Sequence, residues 1–412
     1  MSGRVVVAGG GPVGLTAALG LARHGVAVTV LEAEEHIATS PRASTFHSPT
    51  LEMLDALGVA QPFLARGFTF DRFQFREYGG DVVAEFDLSR LADVTRFPFR
   101  LQCPQDWLAE ILLDEVRATG LVEVRFGARV VDFDQDEHGV RVVAETKAGR
   151  ETVAGSYLIG ADGARSAVRS ALDISFSGMS YPVRQLQMMT TLDLRRYIPD
   201  LCGVTYVLDP DEWFILLRTP PGVWRALVPV PEAFDDDPLA ETAWLQDKVR
   251  RLVRDPEAPV DVVYRAVYTA HQRVADRYRV GRVLIAGDAA HVNTPFGGMG
   301  VNCGIHDAYF LAPLLARALE DPRDDALDLW AEERRRIALD YVQTATAKNA
   351  RDASLRDEAE RRARNEQMRA TASDPATARA YVMRSSMMES ILTSRLTALS
   401  DLATILKGKT PV

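Results

Sequence analysis

An α/β fold, in which a parallel sheet is interrupted by a second, β-rich domain and followed by a run of helices, is the class predicted for this 412-residue chain. Three observations carry that expectation. The opening stretch RVVVAGGGPVGLTAALGLARHGVAVTVLEAEE reads as strand, glycine turn, helix and second strand. Residues 185–230 hold four strand-like runs between turn formers, and from 326 onward the pattern is helical almost to the end.

Each element has its own reason. Residues 4–8 and 26–31 are short and β-branched, as buried parallel strands are, and 12–24 has the small and apolar faces of a helix packed on a sheet. Residues 49–58 and 105–118 read as helices, and 122–126, 129–133 and 140–145 as a small antiparallel meander. Strands are expected at 185–192, 203–208, 213–218 and 224–230, separated by DPDE and TPPG. The acidic FDDDP at 234–238 leads into a helix at 239–254, and RVLIAG at 282–287 returns the chain to the first sheet. Between 331 and 370 the charges nearly balance, so EERRR reads as a solvated helix face.

Composition narrows the function. With 47% hydrophobic and 25% charged residues the chain is an ordinary globular protein with a sizeable core. Its net charge of −9 does not supply the basic face that a nucleic-acid partner needs. The three cysteines form no CxxC pair and the seven histidines show no ligand spacing, so no metal site and a reduced, cytoplasmic setting are expected. The apolar start is broken by a glycine turn with no cleavage site after it. No run of about 20 apolar residues exists to span a membrane.

The turn GGGPVG places Gly9, Gly11 and Gly14 between strand and helix, with Glu32 ending the next strand. Gly9 permits the tight turn, Gly11 lets a pyrophosphate approach the backbone, and Gly14 lets helix and strand pack closely. The helix N-terminus then stabilises phosphate, and Glu32 accepts from the ribose hydroxyls while repelling a 2′-phosphate. NAD and FAD both satisfy this motif.

Two distal stretches separate them. GADGARSAVR, from 160, resembles the Asp-Gly motif, and GRVLIAGDAAH, from 281, the Gly-Asp motif, of the class A flavin-dependent aromatic hydroxylases, the family of p-hydroxybenzoate hydroxylase. The resemblance spans roughly residues 4 to 320 and implies a Rossmann-like FAD domain built from 1–70, 100–180 and 275–325. A β-sheet substrate domain (71–99 and 181–274) is inserted into it, and 326–412 form a C-terminal helical segment. It also implies that Asp288 bonds the ribityl chain and that Pro295 and the run Gly297 to Asn302, including Gly298, Gly300 and Val301, wrap the isoalloxazine ring. The positive end of the helix that follows favours the anionic reduced flavin.

By the same resemblance Asp162 and Gly163 lie near the pyrophosphate, and Arg42 and Gln105 touch the cofactor. Arg165, Ser166 and Arg169 are candidate surface contacts for the nicotinamide donor. Arg225 falls where the namesake enzyme has an arginine against its moving flavin, so Arg225 and Pro295 are the candidate catalytic residues. His291 is expected to order its loop. Tyr206, Trp213 and Trp224, with Tyr181 and His47, are the aromatic candidates for the substrate pocket.

The implied activity is FAD-dependent monooxygenation with NADPH or NADH and O2, through a flavin C4a-hydroperoxide, of a small phenolic or heteroaromatic substrate. The peroxide must be kept dry and the phenol made nucleophilic. No second glycine fingerprint marks a dedicated NAD(P)H domain. With the helical segment last, no thioredoxin-like extension of the phenol-hydroxylase type is expected, and a monomer or homodimer is expected. The alternatives are oxidative tailoring or inactivation of a polyketide or antibiotic, a non-catalytic flavin-binding protein, and a plain NAD-dependent dehydrogenase.

Overall fold

The computed structural model describes residues 3–39, 41–230, 238–321, 325–400 and 402–407. The strand β1 (Val5–Ala8) lies at the heart of a six-stranded sheet, beside β2 (Val28–Leu31) and the strand Tyr157–Gly160, both parallel to it. All four residues of each are buried, as expected of strands covered on both faces. The helix α1 (Pro12–Arg23) joins β1 to β2 and packs on the long helix Gly300–Glu320. A Cβ on Gly20 would lie 2.7 Å from the Ala312 Cβ, so the two helices meet closely.

The meander differs from expectation. Val122–Arg125 pairs parallel with β2 at the edge of the large sheet, and the three-stranded meander is built from 129–135, 140–146 and 149–155. An edge strand exposed on one face alternates like an antiparallel one, as Val122 and Val124 do with Glu123 and Arg125. The true third strand, GRETVAG, is too polar and glycine-flanked to show a pattern.

The second sheet has seven strands, in the order 264–268, 185–190, 223–229, 214–219, 204–208, 72–77 and 82–87. The first and the last two of these are strands that composition alone did not single out. Strand 204–208 pairs parallel with 72–77, which stitches the segment around residue 75 onto the sheet. Because side chains alternate across a strand, the sheet has two distinct faces. Leu186, Met188, Phe214, Leu216, Trp224 and Val228 pack under the helix Pro238–Val253. On the other face Phe73, Phe75, Tyr206 and Trp213 pack with Phe296 and with Ala353 and Val382 of the C-terminal helices.

The stretch FDDDP lies outside the described residues, apart from Pro238, which opens its helix. EERRR is only partly a solvated face. Glu333 and Arg334 are fully buried: Glu333 accepts from Arg336 and Arg395, and Arg334 donates to Asp307. The charge balance hid this, because an ion pair inside and an ion pair outside look alike in sequence. Among the described residues no helix is long and apolar enough to cross a membrane.

Candidate functional site

A cavity of about 550 Å³ lies between the two sheets. One end is the glycine turn, where Gly11, Pro12 and Val13 line it; the other is the second sheet, at Ile215, Leu217 and Leu227. Arg42, Gln105, Gly163, Asp288, Pro295, Gly298, Gly300, Val301 and Arg225 line the walls between them.

The glycines divide by what surrounds them. Gly9 has φ +104° and a Cβ there would sit 2.3 Å from the Ala161 carbonyl oxygen, while one on Gly14 would sit 2.0 Å from the Gly9 carbonyl oxygen. Both positions are closed by protein backbone. Gly11 and Gly163, by contrast, face open space within 4 Å, which is where a ligand backbone has room to approach. Glu32 does not line the cavity: its carboxylate accepts from the Gly10 N–H at 2.5 Å and the Glu34 N–H at 2.8 Å, bracing the turn. Asp162 accepts from the Val168 N–H at 3.1 Å through Oδ2, and its buried Oδ1 has no partner.

Asp288 is exposed to the cavity, while protein packs around the rest of it. Desolvation by the surrounding protein raises its carboxyl above the ordinary range, against the pull of His291 and Arg42. The loop after it turns at Pro295, whose carbonyl accepts from the Gly298 N–H at 3.0 Å, with Gly297 at φ +96° and Gly298 at φ +64°. The 21-residue helix then begins at Gly300, so its unpaired N–H groups and positive dipole end face the cavity.

Arg225 is buried beside Tyr264 and Tyr268. It donates to the Arg42 carbonyl oxygen and to Gln187 Oε1, and burial brings its pKa down to about 10 despite the two tyrosines.

An orphaned acceptor at Asp162, open space beside Gly11 and Gly163, and a helix N-terminus at the loop are what a dinucleotide carrying a second ring system fits. The FAD binding domain family matches residues 3–345. The chain belongs to this family of flavoprotein monooxygenases. It is 35% identical to 6-hydroxy-3-succinoylpyridine 3-monooxygenase of Pseudomonas putida, over 85% of this chain and 89% of that one. It is 33% identical to para-nitrophenol 4-monooxygenase of a Pseudomonas species, over 83% and 85%. The solved structure of p-nitrophenol 4-monooxygenase from Pseudomonas putida superposes with a TM-score of 0.89 at 30% identity, covering 96% of this chain and 99% of that one.

Within this flavoprotein several expected contacts turn out to be supports. Asn302 is fully buried and does not line the cavity. Its Oδ1 accepts from the His47 N–H (2.9 Å) and Thr50 Oγ1 (2.7 Å), and its Nδ2 donates to the Thr45 and Gly298 carbonyl oxygens (2.8 and 2.7 Å). It clamps the loop at Gly298 to the segment 45–50 from behind. Ser166 caps the short helix 167–171, and Arg169 is a buried tie rather than a surface contact, donating to the Ala289 and Ala164 carbonyl oxygens at 2.9 and 3.0 Å. Arg165 alone of that trio is exposed. His291 bonds Asp307 at 2.8 Å and stays behind the loop.

The aromatic candidates scatter. Trp224 lies on the sheet face away from the cavity, because Arg225 and Leu227 take the facing positions, and it donates to Asp193 at 3.3 Å. Trp213 packs on Phe296 of the loop after Pro295 with ring centres 4.8 Å apart. Tyr206 lines a second, smaller pocket. Tyr181 bonds Gln272 and does not line the cavity. His47 donates to the Gly297 carbonyl oxygen at 2.9 Å and is held neutral, its pKa brought down to about 3 by burial and then by Arg100. Sequence reasoning missed Gln187, Ile215 and Leu217, whose strands are visible as patterns but whose inward faces are not, and Tyr264 and Tyr268, whose strand it did not single out.

Proposed function

We propose that this flavoprotein hydroxylates a small phenolic or heteroaromatic compound, consuming one O2, one NADPH or NADH and one proton and releasing the hydroxylated ring, water and the oxidised nicotinamide. The observation that carries the reading is the cavity: a single space is lined by Gly11 of the glycine turn and by the apolar Ile215, Leu217 and Leu227 of the second sheet. On this reading the cofactor extends from the glycine turn and the ring compound lies at the apolar wall. FAD, when bound, supplies the electron transfer and oxygen activation that side chains cannot.

The chain's own residues then have defined roles. Gly11 and the N-terminus of α1 receive the pyrophosphate, with Gly9 and Gly14 shaping the turn, Asp162 and Gly163 at its rim and Glu32 beside the adenosine ribose. Asp288 accepts from the ribityl hydroxyls. Gly300 and Val301 present backbone N–H groups to the flavin ring, with Gly298 shaping the turn before them and Asn302 holding the loop in place. Arg42 and Gln105 flank the cofactor, Pro295 bounds the reacting face, and the apolar wall excludes water. Arg225, tethered to the Arg42 carbonyl and Gln187, positions the cavity wall between the two domains. A cytoplasmic enzyme, monomer or homodimer, fits its three free cysteines.

The relatives named for succinoylpyridine and nitrophenol oxidation support a single-ring substrate over a polyketide. The test is incubation of the holoenzyme with NADH or NADPH, a panel of phenols and hydroxypyridines, and isotopically labelled O2. One labelled oxygen in the product is expected. Turnover of polyketide substrates alone would replace the single-ring reading.

A further inference from the structure

Arg100 begins the strand Arg100–Gln102 and is 1% exposed, yet it is the wrong kind of residue to bury there. Its guanidinium lies 3.8 Å from the centre of the Phe73 ring, its Nε and Nη1 have no hydrogen-bond partner, and among the described residues no carboxylate stands within ion-pair distance. The other arginines of comparable burial are served: Arg334 by Asp307, Arg169 by two carbonyls, Arg225 by a carbonyl and an amide. A buried cation without an anion costs several kcal/mol.

The cation faces a pocket of about 20 Å³, room for about one water-sized group. Phe75, Tyr206 and Tyr381 contribute rings, Ser385 has a buried hydroxyl without a partner, and Gly297 and Met299 of the flavin loop close the side toward the large cavity. Met299 lines both spaces, and its unbranched side chain is a movable partition between them. The surrounding titratable groups supply no counter-charge. His47 is neutral, burial pushes the Tyr381 hydroxyl above the usual phenol range, and Asp352 is paired with Lys348.

We propose that Arg100 anchors the phenolate oxygen of the aromatic substrate, whose ring lies against the apolar wall of the large cavity while its charged oxygen reaches past Met299 into the small pocket. This rests on the aromatic-hydroxylase reading above and makes the substrate an anion at the moment of reaction. The phenol proton leaves to solvent on binding, and the ring becomes electron-rich where oxygen is delivered. The pocket's size sets the specificity: a hydroxyl enters, a methoxy group does not.

The test uses the FAD-loaded enzyme with para-nitrophenol and para-cyanophenol, each against its methyl ether, with binding read from flavin fluorescence and phenol ionisation from absorbance. The wild type should bind the phenols over the ethers and lower the apparent pKa of the bound phenol by about one unit or more. Arg100→Gln should weaken the phenols on the order of tenfold or more, leave the ethers unchanged and restore the ordinary phenol pKa. Arg100→Lys, which keeps the charge, should fall between and serves if the glutamine variant does not fold. Phenols bound and hydroxylated by Arg100→Gln with unchanged affinity and ionisation would overturn this inference alone. A wild type that binds and hydroxylates phenols but shows no preference over the ethers would do the same. A wild type that binds and hydroxylates no phenol would overturn both this inference and the function it rests on.

Discussion

Asn302 and His47 show how much the cavity-lining loop 295–301 depends on residues that do not themselves line the cavity. Replacing Asn302 by leucine, similar in size, leaves the His47 N–H, Thr50 and two carbonyls without their partner in a dry interior. The expected loss is about 3 kcal/mol or more, read from denaturant midpoints at constant slope. A loss below 1 kcal/mol would show that water replaces the amide. His47 is neutral in the fold down to about pH 3 but takes a proton near 6.5 when unfolded. Between those values the unfolded state binds more protons, so stability falls as pH drops through 6.5, by about 2 kcal/mol at pH 5. His47→Gln should flatten that part of the stability profile. Asp288→Ala should lose most of the FAD during purification, which the protein's absorbance reports; full retention would remove Asp288 from the ribityl contact.

At the scale of elements, the glycine turn separates structural from ligand-facing positions. Gly14→Ala drives a Cβ into the Gly9 carbonyl, so the apo protein itself should melt several degrees lower. Gly11, at φ −76° with nothing within 4 Å, accepts a methyl group without strain. Gly11→Ala should therefore leave the apo melting temperature unchanged while weakening FAD, and equal effects of the two substitutions on both quantities would contradict the division. The paired strands 214–219 and 223–229 sort in the same way. Leu217→Ala and Leu227→Ala, on the cavity face, should raise KM for the ring substrate. Trp224→Phe, on the far face, should lower stability with KM unchanged.

Elements of this kind were legible where one period dominates. The βαβ unit, the long helices and the four central strands of the second sheet stand out, because β-branched runs and glycine spacing are local signals. The strand Arg72–Glu77 was not, since its Arg-Phe-Gln-Phe-Arg alternation buries Gln74 against Cys202 and Thr205 from another part of the chain.

The whole molecule places the functional wall where two sheets face each other, and that is the least readable level. Gly11, Arg42, Gln105, Gly163, Asp288 and Pro295 carry motif signals and meet at one cavity. Ile215 and Tyr264 meet them only because strand 185–190 is sandwiched between 223–229 and 264–268, a pairing no short window contains. Which aromatic residues face inward followed the same rule: Trp224 looked as good a contact as Tyr206 until the register of the sheet turned it away.

The central claim is that one cavity holds a redox flavin and an aromatic substrate in communication. Anaerobic stopped-flow reduction of the bound flavin by NADH and by NADPH, with and without each member of a panel of phenols and hydroxypyridines, tests it most directly. The account predicts that at least one ring compound accelerates reduction strongly and that Leu217→Ala alters the concentration at which it does so. Flavin reduced at the same rate whatever compound is present, or not reduced by either nicotinamide, would contradict it.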